Sequence, residues 1–285
     1  MAKFTDKTLL VRLNISQWTA RKLDRQATRD VTIQNQASAG AARVNKSLLY
    51  NSVALQRIQK LSDEVRREFV ARCLPWGEDG QHIIKAEAFI PFTQYFHEKR
   101  EAWLSSVTDF VSQYPVLREE AREALGFLYK AEDYPEPDQI DSKFRMEFKF
   151  NPLPDVTDWR VELGDEDRER LRQQIEDDVK ACSQQAMQDA WRRLYDVVSK
   201  THERLSDPKN VFRDSLVDNA KECCTILTAL NISDDANLEG LRRELEGAIS
   251  KTTPTLLRDN EAHRADVADK MKDIMGKMGA FYGAN

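Results

Sequence analysis

The spacing of apolar residues predicts helices along most of the chain. In residues 43–73 apolar side chains recur at steps of three and four with one seven-residue gap, the pattern of one amphipathic helix. A second helix is expected over 91–114, since Pro91 suits the first helical position and Pro115 should end the helix. A shorter helix then continues to residue 130.

A very long helix is predicted in the C-terminal half. No proline or glycine occurs between Asp165 and Leu205, and apolar residues form a narrow stripe on an otherwise charged helix. Forty residues would span about 60 Å, which is typical of a coiled coil. The stripe consists of Leu171, Ile175, Val179, Cys182, Ala186, Ala190, Leu194, Val197 and Leu205.

Three shorter helices are predicted after it, joined by short connections that favour antiparallel neighbours. They cover residues 208–230, 234–250 and 254–278. Their expected N-terminal caps are Asp207, Ser233 and Thr253.

Three segments have the pattern of strands, and they cover residues 8–15, 82–90 and 144–150. In the third, four apolar residues alternate with three charged ones, and Lys143 continues the alternation before it, so the strand has one apolar and one charged face. We expect an edge position or a solvent-facing side, with the apolar face against the aromatic helix; a peptide-binding edge is the alternative. Residues 25–42 suggest a loop or weak helix, and 131–142 an acidic linker.

These elements predict an α+β protein that is predominantly α. A small N-terminal part with about three strands should lead into an antiparallel helical bundle with one very long, coiled-coil-like helix. The predicted domains are a mixed α/β region over 1–164 and a helical bundle over 165–285.

Composition and charge agree with long solvated helices. Of the residues 41% are hydrophobic and 32% charged, and only 10 Gly and 9 Pro are present, which disfavours a loop-rich β sandwich. With no long apolar run and no apolar leader, we expect a soluble, cytoplasmic protein.

The charges are distributed unevenly along the chain. Residues 1–72 hold 14 basic and 6 acidic residues, and residues 131–167 hold 4 basic and 12 acidic residues. Solvated helix faces explain this asymmetry, as would a nucleic-acid face or patches that meet within an assembly.

No motif with catalytic spacing is present. The sequence contains no phosphate-binding or dinucleotide-binding glycine motif and no nucleophile elbow. His97 and Glu98 begin like a zinc-protease helix but lack the second histidine, and the carboxylates from Asp165 to Asp167 are typical of a helix start. The four cysteines have no metal-site spacing and are expected to be reduced, with Cys182 and Cys223 as small buried hydrophobes. We therefore expect no catalytic residue, no metal and no cofactor.

One basic segment is a candidate partner-binding site. Its residues are Trp18, Arg21, Lys22, Arg25 and Arg29. Basic residues beside an aromatic ring can bind phosphates and stack a base, or they can dock a protein partner. Trp18 as an ordinary core residue is the third interpretation.

Two stretches of sequence resemble a phage and mobile-element family of unknown function. They are Leu13-Asn-Ile-Ser-Gln-Trp-Thr-Ala-Arg-Lys22 and the segment from Tyr134-Pro-Glu-Pro through Ser142-Lys-Phe-Arg-Met-Glu-Phe-Lys-Phe150. Members are often encoded beside a MoxR-type AAA+ ATPase and a VWA-domain protein. The resemblance implies a phage or prophage origin, a bacterial host cytoplasm and an AAA+ ATPase as a candidate partner.

The function expected from these features is a non-catalytic, phage-encoded scaffold or adaptor that acts through protein–protein contacts or self-association. The alternative is a nucleic-acid-binding accessory protein that uses the basic N-terminal face, although the isoelectric point of about 5.6 disfavours it. An enzyme whose pocket is assembled from residues distant in sequence is the third hypothesis. A membrane protein is not expected.

Overall fold

The computed structural model describes residues 4–77, 80–154 and 164–282, and helices dominate these ranges. The predicted α+β, predominantly α class is confirmed. The α-helices described are α1 (Arg25–Gln34), α2 (Val53–Arg72), α3 (Phe89–Leu125), α4 (Asp165–Leu205), α5 (Ser215–Leu230), α6 (Ala236–Ile249), α7 (Pro254–Asp259) and α8 (Glu261–Tyr282). The strands are β1 (Thr8–Ser16), β2 (Arg21–Leu23), β3 (Asn45–Ser47), β4 (Leu74–Pro75), β5 (His82–Lys85) and β6 (Arg145–Pro152).

Four strands form one sheet in the order β4–β5–β1–β6, and β2 and β3 form a separate antiparallel pair. β1 runs antiparallel to β5, with Thr8 opposite Lys85. β6 lies at the edge of its sheet with Met146 buried and Lys149 exposed, which confirms the predicted position and the two unlike faces. β5 ends at Lys85, so the strand predicted over 82–90 is too long.

The chain divides into two compact units that are interleaved along the sequence. The bundle unit comprises residues 1–12, 68–93 and 149–285, and the aromatic unit comprises 13–67 and 94–148. Each unit combines separate stretches of sequence, whereas the domains predicted above are two consecutive segments. The boundary after residue 164 stays a prediction, and residues 155–163 before it lie outside the described residues.

The bundle unit is built around α4, which packs against α5 and α8. The predicted length of this helix is confirmed, but its stripe is buried only in the second half. Its buried residues begin at Ala186, whereas Leu171 and Ile175 remain partly exposed. Cys182 and Cys223 are partly buried against this core, as expected.

Pro115 does not end its helix, contrary to the prediction. α3 runs from Phe89 to Leu125 with Pro115 inside it. Proline removes one backbone hydrogen bond, but this proline is solvent-exposed, where water can bond the carbonyl left over. The preceding Tyr114 is fully buried, and its hydroxyl donates to the Pro135 carbonyl at 2.8 Å. Tertiary packing therefore holds the helix through the proline.

The helix predicted over 43–73 is also shorter in the structure. Its first residues form β3, because they pair with β2 in the register Lys22 to Lys46. The helix itself begins only at Val53. The region predicted as a loop or weak helix contains a regular helix, α1, and the predicted linker 131–142 contains two short 3-10 turns.

The helix predicted from 208 begins later, at Ser215. The segment before it lies in turns and bends, and the Arg264 guanidinium donates to its carbonyls at Asp207, Pro208 and Asn210. These bonds tie the segment to α8. The Asp207 side chain accepts from the Lys209 amide at 2.9 Å, which closes a turn.

The last two predicted helices are partly correct. Asp235, not Ser233, caps α6, since its carboxylate accepts from the Asn237 amide at 2.8 Å. Thr253 caps α7 as predicted, with its hydroxyl accepting from Leu256 N at 3.2 Å. The final helix is then divided in two at Asn260.

A carboxylate on α6 should make the stability of the bundle unit depend on acidity. Hydrogen bonds from Arg242 (2.8 Å) and Arg243 (2.6 Å) lower the pKa of Glu239 from 4.5 to about 2, against the opposing effect of burial. The stabilisation is present above pH 4.5 and is lost as pH falls towards 2. We expect Glu239→Gln to flatten this part of the stability curve, measured by urea denaturation at several pH values. Glu203→Gln, at an exposed glutamate, should keep the wild-type slope; a wild-type slope in Glu239→Gln would contradict the assignment.

No helix in the described part of the chain is long and apolar enough to cross a membrane.

Candidate partner-binding face

The basic segment lies in the aromatic unit, where β2 leads directly into α1. Asp24 caps the helix, and its carboxylate accepts from the amides of Gln26 (3.0 Å) and Ala27 (2.9 Å). The hydrogen bond from Ala27 is the main reason that the pKa of Asp24 lies below its ordinary value. The Thr28 hydroxyl accepts from Val44 N at 3.0 Å, and so ties the helix to the chain that leads into β3. α1 is thus fixed in place at its first turn.

Lys22 is engaged within the protein. Its ammonium lies 2.6 Å from Asp133, and Lys46, opposite it in the strand pair, lies 2.5 Å from the other oxygen of the same carboxylate. The Lys46 and Asp133 side chains are 6% and 3% exposed, and Lys46 also donates to the Leu128 carbonyl at 2.8 Å. Burial raises the pKa of Asp133, but the bonds from the two lysines outweigh it and hold the pKa below the ordinary value. The cluster locks the β2–β3 pair.

Trp18 packs into an aromatic group. Its ring is half-buried and meets Tyr114 edge-on at 5.7 Å and Tyr134 at 6.5 Å between centroids. The Tyr134 hydroxyl donates to the Leu48 carbonyl at 2.8 Å, and burial raises the pKa of both tyrosines to about 12. The tryptophan is therefore committed largely to internal contacts, in line with the core interpretation.

The remaining basic residues point to solvent. Arg21, Arg25 and Arg29 are exposed, and none of them forms an ion pair among the residues that the structure describes. Arg25, Arg29 and Ile33 follow one another at four-residue steps and so share one face of α1. Ile33 is 73% exposed, and α1 has no buried residue. We call these three residues the arginine stripe.

The structure thus divides the sequence-predicted site. Arg25 and Arg29 lie together on α1, and Arg21 is exposed on β2. Lys22 is half-exposed but paired with Asp133, and Trp18 packs against two tyrosines. Sequence reasoning missed Lys46 and Asp133, which it placed in a helix and a linker, and no local signal could have paired them. Ile33 could have been found from its spacing to Arg29.

In the described ranges no group of three or more His, Cys, Asp or Glu side chains is placed to hold a metal. The four cysteines are free thiols, and burial raises the pKa of Cys73, of Cys223 to about 12 and of Cys224 to about 11. These three buried thiols are poorly ionised near neutral pH and are weak nucleophiles.

No family model matches the sequence, and comparison with curated proteins and with solved structures finds no similar protein.

Proposed function

We propose that this protein is a non-catalytic adaptor or scaffold that binds an acidic protein partner through the arginine stripe of α1. The observation that carries the proposal is the pair Arg25 and Arg29, exposed and without intramolecular counter-ions among the described residues, beside the exposed Ile33. A helix that buries none of its ten residues contributes little to a core, so its sequence is available for contacts with another molecule.

The stripe is already formed in the isolated protein. Asp24 fixes the first turn of α1, and the buried Lys46–Asp133 pair holds the strands from which the helix emerges. A partner therefore pays little of the entropy of ordering this segment. Arginine suits the task, because its planar guanidinium can donate two parallel hydrogen bonds to a carboxylate. Ile33 adds an apolar contact at the end of the same face.

A protein partner fits this face better than a nucleic acid. Stacking of bases would need an open aromatic ring, whereas Trp18 packs against Tyr114 and Tyr134. The net charge of −5 also opposes a polyanion the size of DNA. The resemblance to a phage family makes a MoxR-type AAA+ ATPase encoded beside the gene the first partner to test.

The test is light scattering of the purified protein, alone and mixed with that ATPase. We expect the wild type to form a defined complex with the ATPase. Arg25→Glu/Arg29→Glu should weaken the affinity at least about tenfold, since both introduced charges then repel an acidic surface. Lys60→Glu/Lys143→Glu makes the same change in net charge at exposed positions elsewhere in the aromatic unit and should bind like the wild type.

Two outcomes would count against the proposal. One is equal loss of binding in both double variants, which would indicate a general charge effect. The other is binding of a DNA oligonucleotide that weakens steeply with salt and is abolished by Arg25→Glu/Arg29→Glu, which would favour the nucleic-acid alternative.

A further inference from the structure

A cavity of about 420 Å³ lies within the bundle unit, and none of its lining residues belongs to the unit that contains the arginine stripe. Its walls are the last turns of α4, residues 211–213 and the first turns of α5. Three cations line it, and they are Lys200, Arg204 and Arg213. No carboxylate is among the described residues that form the lining.

The positive charge in this cavity is not neutralised by the protein. In the described part of the chain, none of the three cations forms an ion pair. Lys200 and Arg204 are one turn apart on α4, where like charges repel each other. The carboxylate of Asp214, next to Arg213, is already bound by Arg258. A concave site with three exposed cations and no carboxylate in its described lining attracts anions.

Part of the cavity lining is apolar. Phe212 is buried, and the guanidinium groups of Arg258 and Arg264 lie 5.2 Å and 5.4 Å from the centre of its ring. Leu216 is buried beside it, while Val211 at the rim is 88% exposed. The site therefore combines a cationic wall with apolar surface.

The charge comes from side chains rather than from the helix terminus. The amides of Leu216 and Val217, in the first turn of α5, already donate to the carbonyls of Arg213 and Asp214 at 3.0 Å and 3.2 Å. Ser215 and Asn219, one turn apart on α5, add polar groups to the wall. Guanidinium groups bind phosphate oxygens in pairs, and lysine adds a point charge.

We infer that this cavity binds a small phosphorylated organic molecule. The phosphates contact Lys200, Arg204 and Arg213, and the organic part covers Val211 and Leu216. The volume lies within the range of about 300–1,000 Å³ that is usual for small-molecule sites. This inference goes beyond the adaptor function, and it concerns a different unit and different residues.

Isothermal titration calorimetry at low salt tests it, with orthophosphate, pyrophosphate and ADP as probes. We expect pyrophosphate to bind more tightly than orthophosphate, and ADP more tightly than pyrophosphate because it also has apolar surface. Arg204→Gln/Arg213→Gln should weaken ADP binding at least tenfold. Lys180→Gln, at an exposed lysine earlier on α4, should leave it unchanged.

Three results would overturn the inference. They are no binding of ADP or pyrophosphate at millimolar concentration, equal binding by the wild type and Arg204→Gln/Arg213→Gln, and tighter binding of a single-stranded oligonucleotide than of ADP through the same arginines. Circular dichroism melting of each variant shows whether the fold is intact. Because Arg264 contacts the backbone carbonyl of Arg204, the Arg204 substitution leaves that bond in place.

Discussion

Replacing Arg264 with methionine is expected to lower the free energy of unfolding by about 3–5 kcal/mol. The side chain extends from α8 and is 7% exposed. Its guanidinium lies within hydrogen-bond distance of five backbone carbonyls at the end of α4 and in the following loop. They are those of Arg204 (2.9 Å), Leu205 (3.1 Å), Asp207 (2.6 Å), Pro208 (3.2 Å) and Asn210 (2.9 Å).

The size of the effect follows from what the substitution leaves behind. Methionine fills much of the space but donates no hydrogen bond, so several carbonyls lose their partner in a buried site. Arg264→Lys should lie between methionine and the wild type, since one ammonium cannot reach all five carbonyls. Urea denaturation followed by circular dichroism measures the change.

A control variant shows whether the loss of stability comes from the hydrogen bonds of Arg264 or merely from removing one positive charge. Arg243→Met removes an exposed arginine whose ion pair with Glu239 lies on the surface of α6, and it should cost less than about 1 kcal/mol. A loss of similar size for Arg264→Met would show that the five hydrogen bonds contribute little to stability.

Replacing Asp133 with leucine is expected to cost about 3–5 kcal/mol, because it leaves the buried Lys46 ammonium without its main counter-ion. The second carboxylate near Lys46 is that of Asp24: its Oδ1 caps α1, and its Oδ2 lies 3.8 Å from the ammonium, farther than the 2.5 Å to Asp133. Lys22 is half-exposed and can be solvated by water. The energetic cost therefore falls on Lys46.

The double variant Lys46→Met/Asp133→Leu separates a buried charge from a general packing defect. With both charges replaced by apolar side chains, most of the lost stability should return. If the double variant is as unstable as Asp133→Leu, the defect is one of shape and not of charge.

In the wild type the stabilisation that Asp133 contributes is present above its ordinary pKa of 3.8 and is lost as pH falls below it. That part of the pH dependence should be missing in Asp133→Leu.

Local patterns in the sequence predicted three elements well, because their periodicity or their end signals lie within the element itself. The alternation from Phe144 to Phe150 identified the edge strand β6, and the absence of proline and glycine identified the full length of α4. Thr253 and Pro254 marked the start of α7 correctly. In these cases neighbouring residues contain the information, because helix and strand periodicity are local properties of the chain.

Only the tertiary structure decided which backbone carbonyls and which charged side chains are bound by residues far away in sequence. Arg264 binds carbonyls of residues 207–210, more than 50 residues away in sequence, in a segment for which the local pattern had predicted a helix. Asp133, which is far from both lysines in the chain, binds the buried Lys46 and also engages the half-exposed Lys22 in an ion pair. The charge and spacing of Arg25 and Arg29 were evident from the sequence, but their exposure was not. The reason is that burial and pairing depend on which segments meet in the folded chain, and no local pattern records that.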